Sequence, residues 1–423
     1  MEARLTLKSG QKGIMKLYGP RLICVRYRYD EQHQKRLKMV EIVIEETAWT
    51  PKPIRNDQLV YLQIDFKETR KNTPKGQLME RTLAAIRRVL AIEPIPNADA
   101  IELARINGWK CVVKKEEFAV GDLGVFLEID AVPPDEEAFR FLWQRKPQEG
   151  GAPAIASRPP NFRVRTMKLR GTLSQGVLLP LATFCFDAVK EGDDVTARLG
   201  VEKYEPPIPL GMGEFRARFP NFLHTTDEMR VQSVPAVLDE LRGLPYVATL
   251  KCDGTSATFC IDPKGGAFHA CGRNFSILEG DSIYWRIARK YDLEAVLQRS
   301  PNLAVQGEIC GPGIQKKRLG LKDLTLFPFN VYDIKQARYL DYDDACQWLT
   351  SNGLAPVEIV ESGDAFAHSQ ESLLALAEGK YPGTSNEREG IVLRPRREIS
   401  SLALGGRLSF KVISNRFLLK EGD

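Results

Sequence analysis

The sequence offers a candidate covalent nucleophile in a lysine set between two apolar runs. Lys251-Cys252-Asp253-Gly254 follows YVATL and precedes SATFCI, which places the amine between two strands. A lysine becomes a nucleophile when desolvation and neighbouring cations keep part of it unprotonated. Downstream come Gly272-Arg273-Asn274 and then Glu308 in LAVQGEICG. Asn330-Val331-Tyr332-Asp333-Ile334 follows, then Glu389-Gly390-Ile391-Val392-Leu393-Arg394, and finally Ser409-Phe410-Lys411-Val412. Read chemically, these segments supply a nucleophile, further cations, carboxylates for a sugar or a metal, and an aromatic ring. A nucleoside triphosphate calls for that set. Its polyphosphate needs Lys/Arg and Mg²⁺, its ribose hydroxyls suit a carboxylate, and its purine suits an aromatic face.

The elements that must hold these residues differ along the chain. From about residue 245 onward strands and helices mix, with strands expected at 256–261 and 357–360 and helices at 282–299 and 342–349. This reads as an α+β domain large enough for its own core. Residues 201–230 are rich in Pro, Gly and Arg and read as a connection. Within them Thr225-Thr226-Asp227-Glu228 offers a capping box, Thr225 with Glu228, that predicts a helix start. Between residues 81 and 200 the runs 82–92, 109–114, 123–129 and 162–169 alternate with turn chemistry such as PIPNADA and RPPN. Short strands punctuated in that way predict a small β-barrel or sandwich. It closes with MKLRGTLSQGVLLP, where Lys168 and Arg170 are either nucleic-acid backbone contacts or solvated surface charges.

The chain of 423 residues carries 60 Lys+Arg against 55 Asp+Glu, a net of +5. Residues 1–80 hold 16 of those bases and 10 of the acids, leaving 44 bases against 45 acids in the rest. The basic excess therefore belongs to the N-terminal segment. There, residues 21–29 (RLICVRYRY) and 36–44 (RLKMVEIVI) predict a β-hairpin. Alternation puts Tyr27 and Tyr29 on one face and Arg26 and Arg28 on the other. Such a surface suits phosphates and base stacking, or serves as a solvated face. Residues 67–76 (KETRKNTPKG) read as a linker. A hydrophobic fraction of 43% argues against general disorder. Eight scattered cysteines without a CxxC pair, and four histidines, give no zinc pattern. No apolar run approaches membrane-spanning length, and MEARLTLKSGQKG lacks a signal-peptide core. A cytoplasmic protein with reduced thiols is the expectation.

In order and spacing, these segments resemble motifs I, Ia, III, IIIa, IV and V of the covalent nucleotidyltransferases, the polynucleotide ligases and RNA capping enzymes. AVQGEICGPGIQKKRLGL, TDEMRVQ and SFKVISNRFLLK are closer still to bacterial RNA ligases of the Deinococcus type, which carry an OB domain in front. The resemblance covers residues 81–423. It implies an OB-fold nucleic-acid-binding β-barrel over 81–200 and an α+β, ATP-grasp-like adenylyltransferase domain over 201–423; residues 1–80 lie outside it and read, from their charge and strand-like runs, as a basic β-rich accessory module. It implies ATP with Mg²⁺ or Mn²⁺ as cofactors. The implied partner is RNA, or a nicked RNA/DNA duplex, with a 5′-phosphate.

By the same resemblance, Lys251 attacks the α-phosphate and becomes lysyl-AMP. Asp253 orients the loop and Gly254 permits close approach. Arg273 contacts phosphate or the RNA end, Glu308 the ribose hydroxyls, and Glu389 the metal. Tyr332 stacks on adenine or packs in the core. Lys411 contacts the α-phosphate and depresses the pKa of Lys251. Two positions depart from the pattern: Leu250 stands where phage-type RNA ligases place a glutamate, and Ile413 where a second lysine is common. Only 12 residues follow Lys411, too few for the rear OB domain of capping enzymes and DNA ligases. The alternatives are a capping-type nucleotidyltransferase and a non-catalytic OB-fold RNA-binding protein.

Overall fold

A computed structural model describes residues 81–144, 157–186, 188–205, 213–316 and 318–421, together with the backbone of four strands before residue 44. The chain divides into two compact units, Met1–Lys75 and Gly76–Asp423. In the first, Glu2–Thr6 pairs antiparallel with Lys12–Lys16, and Ile23–Tyr29 with Arg36–Val43. The expected hairpin is therefore present. The side chains of Arg26 and Arg28, and the linker expected over 67–76, lie outside the described residues.

The second unit begins with two three-stranded antiparallel sheets. One orders Val177–Pro180, Leu123–Leu127 and Ala84–Arg88; the other orders Ala91–Pro94, Ile101–Ile106 and Trp109–Lys114. The run expected as one strand over 82–92 breaks at Val89 and Leu90. Val89 N donates to Asp122 O, and Leu90 N to Arg105 O, so the chain passes there from one sheet to the other. The ladders do not join into the closed barrel that was expected. Trp109, Ile106, Val113 and Phe126 fill the space between the sheets. The short hairpin Met167–Leu169/Thr172–Ser174 turns through Arg170 and Gly171, both at positive φ. It displays Lys168 and Arg170 to solvent.

The remainder is built on two further sheets. Five strands run in the order Met229–Arg230, Phe410–Ile413, Gly390–Pro395, Tyr246–Lys251 and Ile359–Gly363. Seven strands run Phe215–Arg218, Phe275–Ile277, Phe268–Cys271, Thr255–Ile261, Leu303–Cys310, Thr325–Asp333 and Arg338–Tyr339. The chain leaves the first sheet at Lys251 and enters the second at Thr255, so the tetrapeptide that carries the lysine is the link between them. Ile287, Leu293, Leu297 and Leu349 from three helices cover the seven-stranded sheet. The helix expected over 282–299 is two, Ile283–Lys290 and Leu293–Gln298, because Asp292 turns left-handed at φ +48.

Two further expectations are corrected. Thr225–Glu228 does not start a helix. Met229 and Arg230 join a parallel ladder with Phe410 and Lys411, Thr226 Oγ1 meets Ser256 Oγ at 2.9 Å, and Glu228 accepts from Ser409 Oγ at 3.1 Å. Tertiary partners thus take the polar groups that a cap would have used. The expected strand over 357–360 starts later, at Ile359.

The last helix, Asn415–Glu421, sends Phe417 and Leu418 into the cluster around Trp109 and Phe126. Burying a ring such as Phe417 contributes roughly 1.5–3 kcal/mol. Gln175 Nε2 donates to Asn415 Oδ1 at 3.0 Å, and Gln370 Nε2 to Gly108 O at 2.8 Å. The N-terminal sheets of this unit are in this way held against the strand that carries Lys411.

Candidate active site

Lys251 ends a strand whose preceding five residues are buried. It stands opposite Gly390 in the neighbouring strand, and that register delivers Glu389 to it: Lys251 Nζ lies 2.7 Å from Glu389 Oε1. Glu308 enters from the other sheet, opposite Ser256. Gly254 admits it closely, since a Cβ there would come 2.8 Å from Glu308 Cγ and would also strike Ile309 O. Asp253 is paired with Arg318 at 3.3 Å.

Tyr381, fully buried, ties these pieces together. Its Oη accepts from Asp253 N at 2.9 Å and from Glu389 N at 3.1 Å, and donates to Lys251 O at 3.0 Å. Tyr381→Phe would leave three backbone groups unpaired and cost roughly 1–3 kcal/mol. It should also slow modification of Lys251 by about 10-fold, because Lys251 and Glu389 lose their common anchor. Denaturant midpoints and single-turnover labelling test this; wild-type values in both would remove Tyr381 from the account.

The electrostatics correct one expectation. Burial pulls the Lys251 pKa down, but Glu389, Glu308 and Asp253 push it up and win, so the free amine is held protonated. Burial, together with the charges of Glu389 and Asp253, pushes Glu308 up to about 8 against the pull of Lys251. Lys411 is the depressed amine: burial lowers it, Asp227 opposes, and the charges of Lys251 and Arg230 lower it further. The repulsion between the two lysines is thus expressed on Lys411, not on the nucleophile.

A second cluster faces the same cavity. Asp227 accepts from Arg273 Nη2 at 2.6 Å, Lys203 Nζ at 2.8 Å and Lys411 Nζ at 3.1 Å. Despite burial, these cations hold its carboxyl far below the usual range. Beside it Arg230 is buried and reaches Asp130 Oδ2 at 3.3 Å, while its Nε and Nη1 have no hydrogen-bond partner among the described residues. The cavity, about 680 Å³, is lined by Lys251, Asp253, Gly254, Arg273, Glu308, Glu389 and Lys411. That volume suits a nucleotide-sized ligand.

Tyr332 is not there. It is buried in a separate cluster with Leu223, Cys260 and Ala304, edge-on to His224 and Tyr339. The aromatic lining comes instead from Phe327 and Phe329 of the same strand, and from Phe275 and Phe215. Lys168 and Arg170 do not line the cavity either. Asp333 caps a turn through Gln336 N, and Arg394 is buried against Phe329 O and Asn330 Oδ1. Sequence reasoning assigned no role to Asp227, Arg230, Arg318 or Tyr381. TDEMRVQ and GIQKKRLGL contained three of them, but the partners lie far apart in the chain.

Among the described residues no three His, Cys, Asp or Glu side chains form a ready metal cage. The carboxylates do outnumber the cations around Lys251, and Glu308 is driven towards neutrality by burial first and by that surplus second. This donor set fits a hard divalent cation that keeps much of its water and takes one or two carboxylates. Glu308 and Glu389, which both line the cavity beside Lys251, are the carboxylates that could hold it.

An RNA ligase family model matches residues 244–413, and an OB-fold domain model matches residues 83–181. Solved structures of the Naegleria gruberi RNA ligase superimpose on the chain. The form with PPi has 36% identity and a TM-score of 0.70, covering 81% of this chain and 100% of that one. A glutamate-to-alanine mutant with ATP and Mn has 34% identity and a TM-score of 0.71, over 81% and 100%. A lysine-to-methionine mutant with AMP and Mn has 36% identity and a TM-score of 0.69, over 80% and 98%. No curated protein sequence matches the chain. An OB-fold domain joined to a nucleotidyltransferase-type ligase domain is thus the class. The chain belongs to the RNA ligase family. Among the described residues, no helix is long and apolar enough to cross a membrane.

Proposed function

We propose that this enzyme is an ATP-dependent RNA ligase that joins a 5′-phosphate to a 3′-hydroxyl, at nicks, through lysyl-AMP and an adenylylated RNA end. One observation carries the reading: Lys251, half-buried among the carboxylates of Glu389, Glu308 and Asp253, shares its cavity with a cluster of cations gathered on Asp227.

In the first step Lys251 Nζ attacks the α-phosphorus of ATP, the bond to the β-phosphate breaks, and pyrophosphate leaves. The amine must first lose its proton, and Glu389, 2.7 Å away, is the adjacent acceptor. Glu308 and Glu389 would hold a divalent cation, which would supply charge to offset the phosphates and the field that keeps Lys251 protonated. Lys411 and Arg273, now clamped by Asp227, turn to the α-phosphate and to the incoming RNA phosphate. Arg230, with two unpaired nitrogens, suits the remaining phosphates of ATP. Glu308 binds ribose hydroxyls when no metal claims it. Phe327 or Phe329 replaces Tyr332 as the adenine plate. AMP then passes to the RNA 5′-phosphate, a 3′-hydroxyl attacks that phosphate, and AMP departs.

In this reading residues 201–423 are the adenylyltransferase domain and 81–200 the OB domain, with Lys168 and Arg170 on the RNA backbone. Residues 1–80 are a basic accessory module in which Arg26 and Arg28 contact RNA. The setting is RNA repair in the cytoplasm. The test is a duplex with one nick, labelled at the 5′-phosphate, incubated with ATP or GTP and Mg²⁺ or Mn²⁺. An adenylylated strand followed by a sealed product, with ATP alone, is expected. Nucleotide transfer from GTP without sealing would establish the capping-type reading instead, and binding without transfer a non-catalytic protein.

A further inference from the structure

We infer that Phe215 and Phe275 form a stacking platform for a nucleobase of the RNA beside the ends being joined. This inference rests on the ligase reading and deepens it. The two rings stack at a centroid distance of 4.4 Å with an interplanar angle of 27°. Phe275 follows Arg273-Asn274 directly, and both rings line the cavity that holds Lys251. Phe215 is 47% exposed, on the edge strand of the seven-stranded sheet. An exposed ring on an unpaired edge is an aggregation liability unless a ligand covers it.

The surroundings identify the ligand. Strand Phe215–Arg218 (FRAR) is exposed along its whole length, and Arg216 and Arg218 flank the ring. Arg216 Nη1 reaches Phe268 O, whereas Arg218 has no ion pair among the described residues. Arg273, two residues before Phe275, adds a third cation to the same lining. Alternating rings and guanidinium groups take a stacked base and its flanking phosphates, without reading sequence. A protein partner of acidic character would not need the stacked pair. The purine of ATP is assigned above to Phe327 or Phe329, which line the same cavity from another strand.

The test is a nicked RNA duplex carrying 2-aminopurine at each position flanking the nick in turn, bound to the full chain without ATP. Fluorescence quenching confined to one flanking position is expected. It should be lost in Phe215→Leu and kept in Phe215→Tyr, with affinity for the duplex about 10-fold weaker in the leucine variant. Arg218→Gln should lower the slope of log affinity against log salt by about one unit. Quenching unchanged in Phe215→Leu would overturn the platform. A raised KM for ATP, with RNA affinity intact, would overturn it as well by giving the rings to the nucleotide. Quenching is read without turnover, so a wild-type protein that takes no AMP from ATP refutes the ligase reading separately.

Discussion

Lys251→Ala is expected to lose transfer of AMP from ATP to the protein by at least about 10⁴-fold, the scale on which enzymes lose rate when a covalent nucleophile is deleted. Sealing from ATP falls with it. The same variant should still join a nick whose 5′-phosphate already carries AMP, because the last step breaks the RNA-linked phosphoanhydride and does not use the lysine. Removing the amine strips Glu389 of its 2.7 Å partner and takes from Glu308 the cation that opposes the charges of Glu389 and Asp253. Lys251→Arg keeps that charge and controls for folding. Its guanidinium stays protonated throughout the working range, so it should be equally inactive from ATP. Residual AMP transfer above one part in a thousand in both variants would mean another nucleophile.

The second large effect is expected at Lys411. Its amine is the one whose proton is held less tightly, yet Asp227 keeps it charged at 3.1 Å. A cation that meets the α-phosphate as charge develops contributes about 2.7–4 kcal/mol, so Lys411→Ala should slow lysine adenylylation by about 10²–10³-fold. Arg273 and Lys203 continue to neutralise Asp227, so the fold should survive. Single-turnover rates at saturating ATP measure this. A change in the KM for ATP alone, with the maximal rate unaltered, would reduce Lys411 to a ground-state binding group.

The ordered segments made the ligase portion legible because each motif sits on a strand or in the turn beside one, where periodicity and turn chemistry can be read. Lys251, Glu389 and Lys411 come from three neighbouring strands of one sheet, and their meeting follows from ladder register. What escaped the sequence was set by tertiary partners. Thr225–Glu228 has the letters of a helix cap, but a parallel ladder with Phe410 and Lys411 takes the chain first. The run 82–92 looks continuous, and only hydrogen bonds to Asp122 and Arg105 reveal the break. Tyr332 carries the right chemistry for a purine, yet it lies two residues beyond the register shift between Gln306 and Gly307 and packs into another cluster. The proton affinity of Lys251 was misjudged for a related reason. Lys411 is near, but Glu389 and Glu308 are the stronger neighbours.

The central claim is that Lys251 itself carries the AMP. Incubating the protein with ATP and a divalent cation, without RNA, and then mapping the modified peptide by mass spectrometry tests it most directly. The account predicts one adenylyl group per chain, joined through phosphorus to Lys251 Nζ and discharged by pyrophosphate. An adduct on any other residue, or no adduct while sealing proceeds, would contradict it.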